Sequence, residues 1–190
     1  MKKKIITAGV DEVGRGCLAG PVVSAAVILK DGINLDLLKD SKKISFNKRQ
    51  KISDHIKFYS YYAIGLASVE EILDLNILQA SLLSMKRAIE RLPLKPNLIL
   101  IDGNFTPSGL KNCKTIINGD EKIKVISAAS IIAKVYRDNL MIKLAQKFSD
   151  YAWESNFGYG TRAHLEGLKK FGITSHHRKG FKPVHKILSN

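Results

Sequence analysis

Cysteine is almost missing from this chain: Cys17 and Cys113 are the two in 190 residues. Two thiols cannot form a disulfide framework or a Cys-rich zinc site, so neither is expected. Long apolar runs are missing too. None nears the roughly 20 residues a helix needs to cross a bilayer. The basic start, Met1 to Lys4, leads into a short β-like run and then acids, not into a signal-peptide core. A reduced, cytoplasmic protein with no membrane partner is expected. No internal repeat, low-complexity tract or long linker appears. Acids are the remaining shortage. Lys and Arg number 31 against 17 Asp and Glu, a formal charge of +14, which is the footprint of a polyanion binder.

What is present can fill a core: 45% of residues are hydrophobic and 25% charged, as in an ordinary globular domain. Residues 4–11, Pro21–Leu29 and Phe58–Ala67 read as strands, with a helix over 45–57 that Ser45 caps. Ser68-Val69-Glu70-Glu71 has capping-box spacing and starts a helix. A further helical stretch over Asn76–Leu92 is ended by Pro93 and Pro96. Asn97–Ile101 is a continuous apolar run of the kind buried on both faces. Lys114–Ile117 is a further strand, and Ser127–Phe148 repeats apolar residues at helical spacing. Three early strands followed by strands interleaved with helices imply an α/β fold, a mixed sheet flanked by helices. Residues 161–190 carry Arg162, Lys169, Lys170, Arg178, Lys179, Lys182 and Lys186 against Glu166 alone. They are expected to form a basic helical segment beside a substrate groove, or an ordinary solvated helix pair.

Against this basic background four carboxylates stand out. Asp11 and Glu12 follow the first apolar strand, Asp102 ends "LILID", and Asp120 follows "TIING". Side chains at the ends of neighbouring strands can converge on one sheet edge. Four acids held together repel and raise one another's pKa, and a divalent cation removes that conflict. Oxygen-only ligands suit Mg²⁺ or Mn²⁺, whereas zinc recruits His or Cys. Each acid taken singly could instead cap a helix or pair with a lysine; four together favour a metal centre. A basic groove with an acidic metal centre points to phosphodiester hydrolysis by two metal ions.

The glycines that follow, Gly14-x-Gly16-x-x-x-Gly20, do not make a dinucleotide fingerprint. That motif opens a helix directly after a strand, and here Pro21 and a β-branched run follow. Gly14 and Gly16 can let the backbone approach a nucleic-acid strand beside the cationic Arg15, or they form a plain turn.

"GVDEVGRGCLAGPVVSAAVIL" resembles the opening of the type 2 ribonucleases H, the ribonuclease HII family. The resemblance continues through "DSKKIS", "DLNILQASLLSM", "LILIDGN", "NGD", "ISAASIIAKVYRD", "GYGT" and "HHRKGFKPV", so it spans nearly the whole chain. One departure is Cys17, where many members carry proline. The resemblance implies a ribonuclease H-like mixed five-stranded sheet flanked by helices, with residues 1–160 as catalytic domain and 161–190 as a small C-terminal helical segment packed on it. It implies that Asp11, Glu12, Asp102 and Asp120 are the catalytic, metal-binding acids for two Mg²⁺ or Mn²⁺ ions. Gly14, Arg15 and Gly16 match the loop that reads the ribose 2′-OH, and Tyr159 the tyrosine that packs on the next deoxyribose. The implied monomeric enzyme cuts RNA/DNA hybrids, and duplex DNA on the 5′ side of an embedded ribonucleotide, leaving 3′-OH and 5′-phosphate ends.

Other residues stay open. Lys42 and Lys43 are expected on substrate phosphates. Ser130 and Lys134, four apart on one helix face, could hold a phosphate or serve packing. Asp138 is expected to pair with Arg137 or a neighbour, and His176 and His177 to be surface histidines that either contact a metal or a phosphate or do neither. Three rival functions remain from the residues alone: another metal nuclease of the same fold, a non-enzymatic RNA binder, and a metal-free ribonuclease built on histidines.

Overall fold

Val22–Leu29 is apolar at nearly every position because both of its faces are covered: all but Leu29 are buried. In the computed structural model, which describes residues 5–38 and 45–189, this strand is β2 of a five-stranded sheet. The others are β1 (Thr7–Val13), β3 (Ser60–Ala67), β4 (Leu98–Asp102) and β5 (Cys113–Ile116). Their order is β3-β2-β1-β4-β5. β1 pairs antiparallel with β2 and β2 with β3, while β1–β4 and β4–β5 are parallel. The expected mixed sheet flanked by helices is what the chain forms.

Helices follow as α1 (Phe46–Phe58), α2 (Val69–Glu90), α3 (Gly119–Lys122), α4 (Lys124–Ala145), α5 (Trp153–Asn156), α6 (Arg162–Phe171) and α7 (Lys182–Leu188). Ser45 caps α1 as its sequence suggests. Ser68 and Glu71 form the full capping box of α2, and Glu71 is also gripped by both terminal nitrogens of Arg87, at 2.6 and 2.8 Å. The two helical stretches read around Asn76 join with a kink there: Asn76 sits at φ 69°, and its side chain caps Leu78 and Gln79.

α2 packs on one sheet face through Met85, Ala88 and Ile89 against Val10, Ala26, Ile99 and Ile101. α4 covers the other through Ala128, Ala129, Ile132 and Ala133 against Ala25 and Val27. Its far half meets α6 and α7, where Met141, Ala145, Trp153, Leu168 and Val184 share a cluster.

Two boundaries differ from the sequence reading in ways that matter. β1 runs on to Val13, because Asp11, Glu12 and Val13 pair with Ala25, Ser24 and Val23, so the first two acids lie within the strand. β4 is buried on one face only: Ile99 and Ile101 are covered, while Leu98 and Leu100 are half-buried. The covering helix α4 is centred on β1 and β2, which leaves the second face of β4 partly open.

Candidate active site

Successive strand residues usually point to opposite faces, yet Asp11 and Glu12 both lie within electrostatic reach of Asp102. Asp11 is 5% exposed and Glu12 half-buried. In the parallel pair β1–β4 the last matched residues are Val10 and Ile101, so Asp11 and Asp102 are the next step, side by side on adjoining strands. Asp102 accepts the Gly119 N–H at 2.6 Å, which ties the end of β4 to α3. Asp120 is the next residue, itself buried. The close seat of α4 on this end depends on Gly9, where any Cβ would run into the Val125 backbone.

The electrostatics are unfavourable by construction. Burial, then the charges of Glu12 and Asp102, push the Asp11 carboxyl well above the usual range, against the pull of the Ser130 hydroxyl. Glu12 is raised by burial, with Arg15 opposing and Asp102 adding to it. Arg15 touches one Glu12 oxygen at 3.2 Å, while Oε2 is buried without a hydrogen-bond partner. Among the described residues, no three His, Cys, Asp or Glu side chains are gathered closely enough to hold a metal ion. The acids share a field rather than a point. An all-oxygen donor set, an orphaned buried oxygen and carboxyls pushed toward protonation fit a hard divalent cation and not zinc.

Directly after Glu12 the chain turns through Gly14-Arg15-Gly16. Gly14 has φ 93° and lies against the Arg137 guanidinium, leaving no room for a side chain. Gly16 faces open space. Beside this loop the Gly158–Gly160 turn presents Tyr159, 40% exposed, with its hydroxyl near the Cys17 thiol. Leu18 N–H bonds to the Gly158 carbonyl at 2.8 Å, so loop and turn are one unit.

The model of the family described as ribonuclease HII matches residues 8–185. The ribonuclease HII of Pelagibacter ubique is 56% identical over 96% of this chain and 99% of its own length. The chain belongs to the ribonuclease HII family. Among solved structures, the ribonuclease H2 of Pyrococcus horikoshii superposes with a TM-score of 0.81 at 29% identity, over 97% of this chain and 98% of that one. The ribonuclease HII from Archaeoglobus fulgidus, solved in a complex with PCNA, gives 0.77 at 28% identity over 94% and 96%. As a ribonuclease HII, the protein is a hydrolase, an endoribonuclease of RNA/DNA hybrids, on a ribonuclease H-like fold.

The remaining expected residues fall in different places. Lys42 and Lys43 lie outside the described residues. Ser130 reaches Asp11. Lys134 is drawn to the buried Asp138 at 2.7 Å and lies over the Phe157 ring at 4.8 Å and the Tyr159 ring at 5.8 Å. Asp138 thus pairs with a neighbour, as expected, though not with Arg137.

His177 is a correction: it is wholly buried, not a surface residue. His164 Nδ1 donates to the Tyr159 carbonyl at 2.9 Å, so its Nε2 accepts from Trp153 Nε1 at 3.0 Å and from His177 Nε2 at 3.1 Å. His177 Nδ1 in turn accepts the Thr174 N–H at 2.9 Å. Every ring nitrogen is assigned by a partner, and both rings are neutral. Arg178, counted above with the basic segment, is also buried, 1% exposed.

The sequence reading passed over His164, Arg137 and Arg178 as supports of the site. One signal was available for Arg137. It stands four residues after Ala133 and four before Met141 on the buried stripe of α4, where an arginine must have a reason.

Proposed function

We propose that this ribonuclease HII also cuts duplex DNA on the 5′ side of an embedded ribonucleotide, by two-metal hydrolysis that leaves 3′-OH and 5′-phosphate ends. One observation carries the reading. The strand that holds Asp11 and Glu12 runs without interruption into the Gly14–Gly16 loop. At most five residues of chain, roughly 17 Å when fully extended, separate Asp11 and Glu12 from the backbone that would read the sugar.

Asp11, Glu12, Asp102 and Asp120 are the residues that would hold two Mg²⁺ or Mn²⁺ ions. When bound, such a pair activates a water and stabilises the leaving oxygen of an in-line displacement. The chain supplies the rest. Ser130 orients the Asp11 carboxylate, and the Gly119 N–H orients Asp102. The open side of Gly16 admits a sugar to the backbone, whose N–H and C=O groups can meet a 2′-OH as donor or acceptor. The Tyr159 ring lies against the next sugar, where a 2′-OH would crowd it. Arg15, Lys42 and Lys43 offer charge to the phosphates, and the exposed lysines of the C-terminal segment extend that field. Two of the five histidines, His164 and His177, are buried and spent on each other, which takes them out of any metal-free mechanism. The reading places the protein in the cytoplasm as a monomer.

Replacing Tyr159 separates reading from cutting. Tyr159→Ala should lower cleavage at a single embedded ribonucleotide by roughly tenfold to a hundredfold, the worth of one stacked ring, while an all-RNA hybrid is cut nearly as before. Equal losses on both substrates, in step with melting temperature, would reduce Tyr159 to a packing residue.

A further inference from the structure

Segments that touch ligands are usually among the least stable parts of a fold. The stretch from Gly14 to Pro21 is held from beneath by two arginines. Arg178 donates from Nε to the Gly20 carbonyl and from Nη1 to the Arg15 carbonyl, both at 2.9 Å. Arg137 donates from Nε to the Pro21 carbonyl at 3.0 Å, from Nη2 to the Ala19 carbonyl at 2.9 Å and from Nη1 to the Phe157 carbonyl at 2.7 Å. The main chain adds its own ties. Gly20 N–H bonds to the His176 carbonyl and Arg178 N–H to the Leu18 carbonyl, each at 2.8 Å.

This arrangement is costly. Both guanidiniums are buried, 0% and 1% exposed, and among the described residues neither has an ion-pair partner. Burial, and then the charge of Arg137, push Arg178 down to about 10, and its Nη2 has no hydrogen-bond partner. A buried cation without a counter-ion is strongly disfavoured, and here two like charges face each other. Stability alone does not select such a pair. A local rule broken this plainly marks a place where geometry matters more than stability.

We propose that Arg137 and Arg178 are positioning residues for ribonucleotide recognition: they join the Gly14–Gly16 loop and the Phe157–Tyr159 turn into one preassembled reader. This rests on the reading of those two elements given above. Arg178 sets the Arg15 carbonyl, hence the height of the loop above the strand. Arg137 spans both elements: its guanidinium packs against Gly14, and its three bonds end on Ala19 and Pro21, further along the same stretch, and on Phe157 in the turn. The spacing between the 2′-OH contact and the sugar-packing ring is therefore fixed before substrate arrives, and the substrate does not have to order it.

Cys17 provides a readout that needs no substrate. It lies wholly buried under the loop, while Cys113 is partly exposed. In Arg178→Lys, Arg178→Met and Arg137→Lys, the rate of Cys17 alkylation by N-ethylmaleimide would be followed by mass spectrometry, with Cys113 as internal reference. Losing one or two charge-assisted bonds should raise the Cys17 rate by roughly tenfold or more. The ratio of activity on a single embedded ribonucleotide to activity on an all-RNA hybrid should fall by a similar factor. Arg178→Lys should fall between wild type and Arg178→Met. Cys17 as protected as in wild type, with both activities falling only in step with melting temperature, would overturn the proposal. Failure of the wild-type protein to cut an embedded ribonucleotide would refute the functional reading instead, and the alkylation rates would still judge the scaffold.

Discussion

The two halves of the site are built in opposite ways. At the end of β1 and β4, charge is concentrated and left in conflict: burial and the charges of Glu12 and Asp102 raise Asp11, burial and Asp102 raise Glu12, and Glu12 Oε2 has no hydrogen-bond partner. Around the loop and the Tyr159 turn, six backbone carbonyls, from Arg15 to Tyr159, are tied to a buried donor of Arg137, Arg178 or His164. The difference separates what must change during turnover from what must not. Carboxylates that repel are a reservoir of binding energy for cations. On the proposed reading, a loop and turn that distinguish one hydroxyl group need a fixed shape.

That contrast breaks most visibly at Asp11. Asp11→Asn should lose activity by about 10³-fold or more, the scale on which transition-state charge contacts act. It should also raise stability by about 1 kcal/mol, since it removes a buried charge and its repulsion from two neighbours. Turnover assays and thermal melts on the same preparation check both. A loss of stability in Asp11→Asn would mean that the acid serves the fold.

Salt sharpens the comparison from outside. Binding should weaken with a log–log slope near −0.9 per neutralised phosphate, so about four contacts lose roughly 10²-fold between 50 and 200 mM salt. Replacing the exposed Lys169 and Lys170 should make the slope shallower. Arg178→Met should leave it unchanged, because a buried guanidinium displaces no counterions. Filter binding at several salt concentrations tests this, and a shallower slope in Arg178→Met would place that residue on the DNA.

The smallest effect expected is with pH. His177 is pushed down to about 3, by burial first and then by His164 and His176, and His164 is also lowered by burial. A histidine whose folded pKa lies below its unfolded value leaves the unfolded chain with more protons below about 6.5. The ring pair's contribution to stability is therefore full above that pH and falls as pH drops, by up to about 1.4 kcal/mol per unit for each ring. Urea unfolding at pH 7, 6 and 5 should show this slope, and His177→Gln should flatten it. An unchanged slope would mean that the ring pair is not neutral in the fold.

Much of this was legible in the residues. The order of strands and helices followed from periodicity, and the caps at Ser45 and Ser68 from short-range chemistry. The acids were visible as charges at the ends of apolar runs. What was not legible depends on pairing across the chain. That Asp11 and Glu12 lie inside β1 is decided by β2, not by their own propensity. His177 and Arg178 look like surface residues in a basic segment, and they are buried by pairing with Leu18–Gly20 and, for His177, by the Tyr151, Trp153 and His164 rings. The Gly158–Gly160 turn reads as flexible from its glycines, yet it is fixed: a Cβ at Gly158 would stand 2.7 Å from the Ala19 carbonyl oxygen.

The most direct measurement uses one substrate, a DNA duplex with a single ribonucleotide in one strand, incubated with the wild-type protein in Mg²⁺ and in chelator. The expected result is one cut, immediately 5′ of the ribonucleotide, with 3′-OH and 5′-phosphate ends, and no cut in chelator. Cleavage that survives the chelator, or a 2′,3′-cyclic phosphate end, would contradict the assignment of the acids and of the reader together.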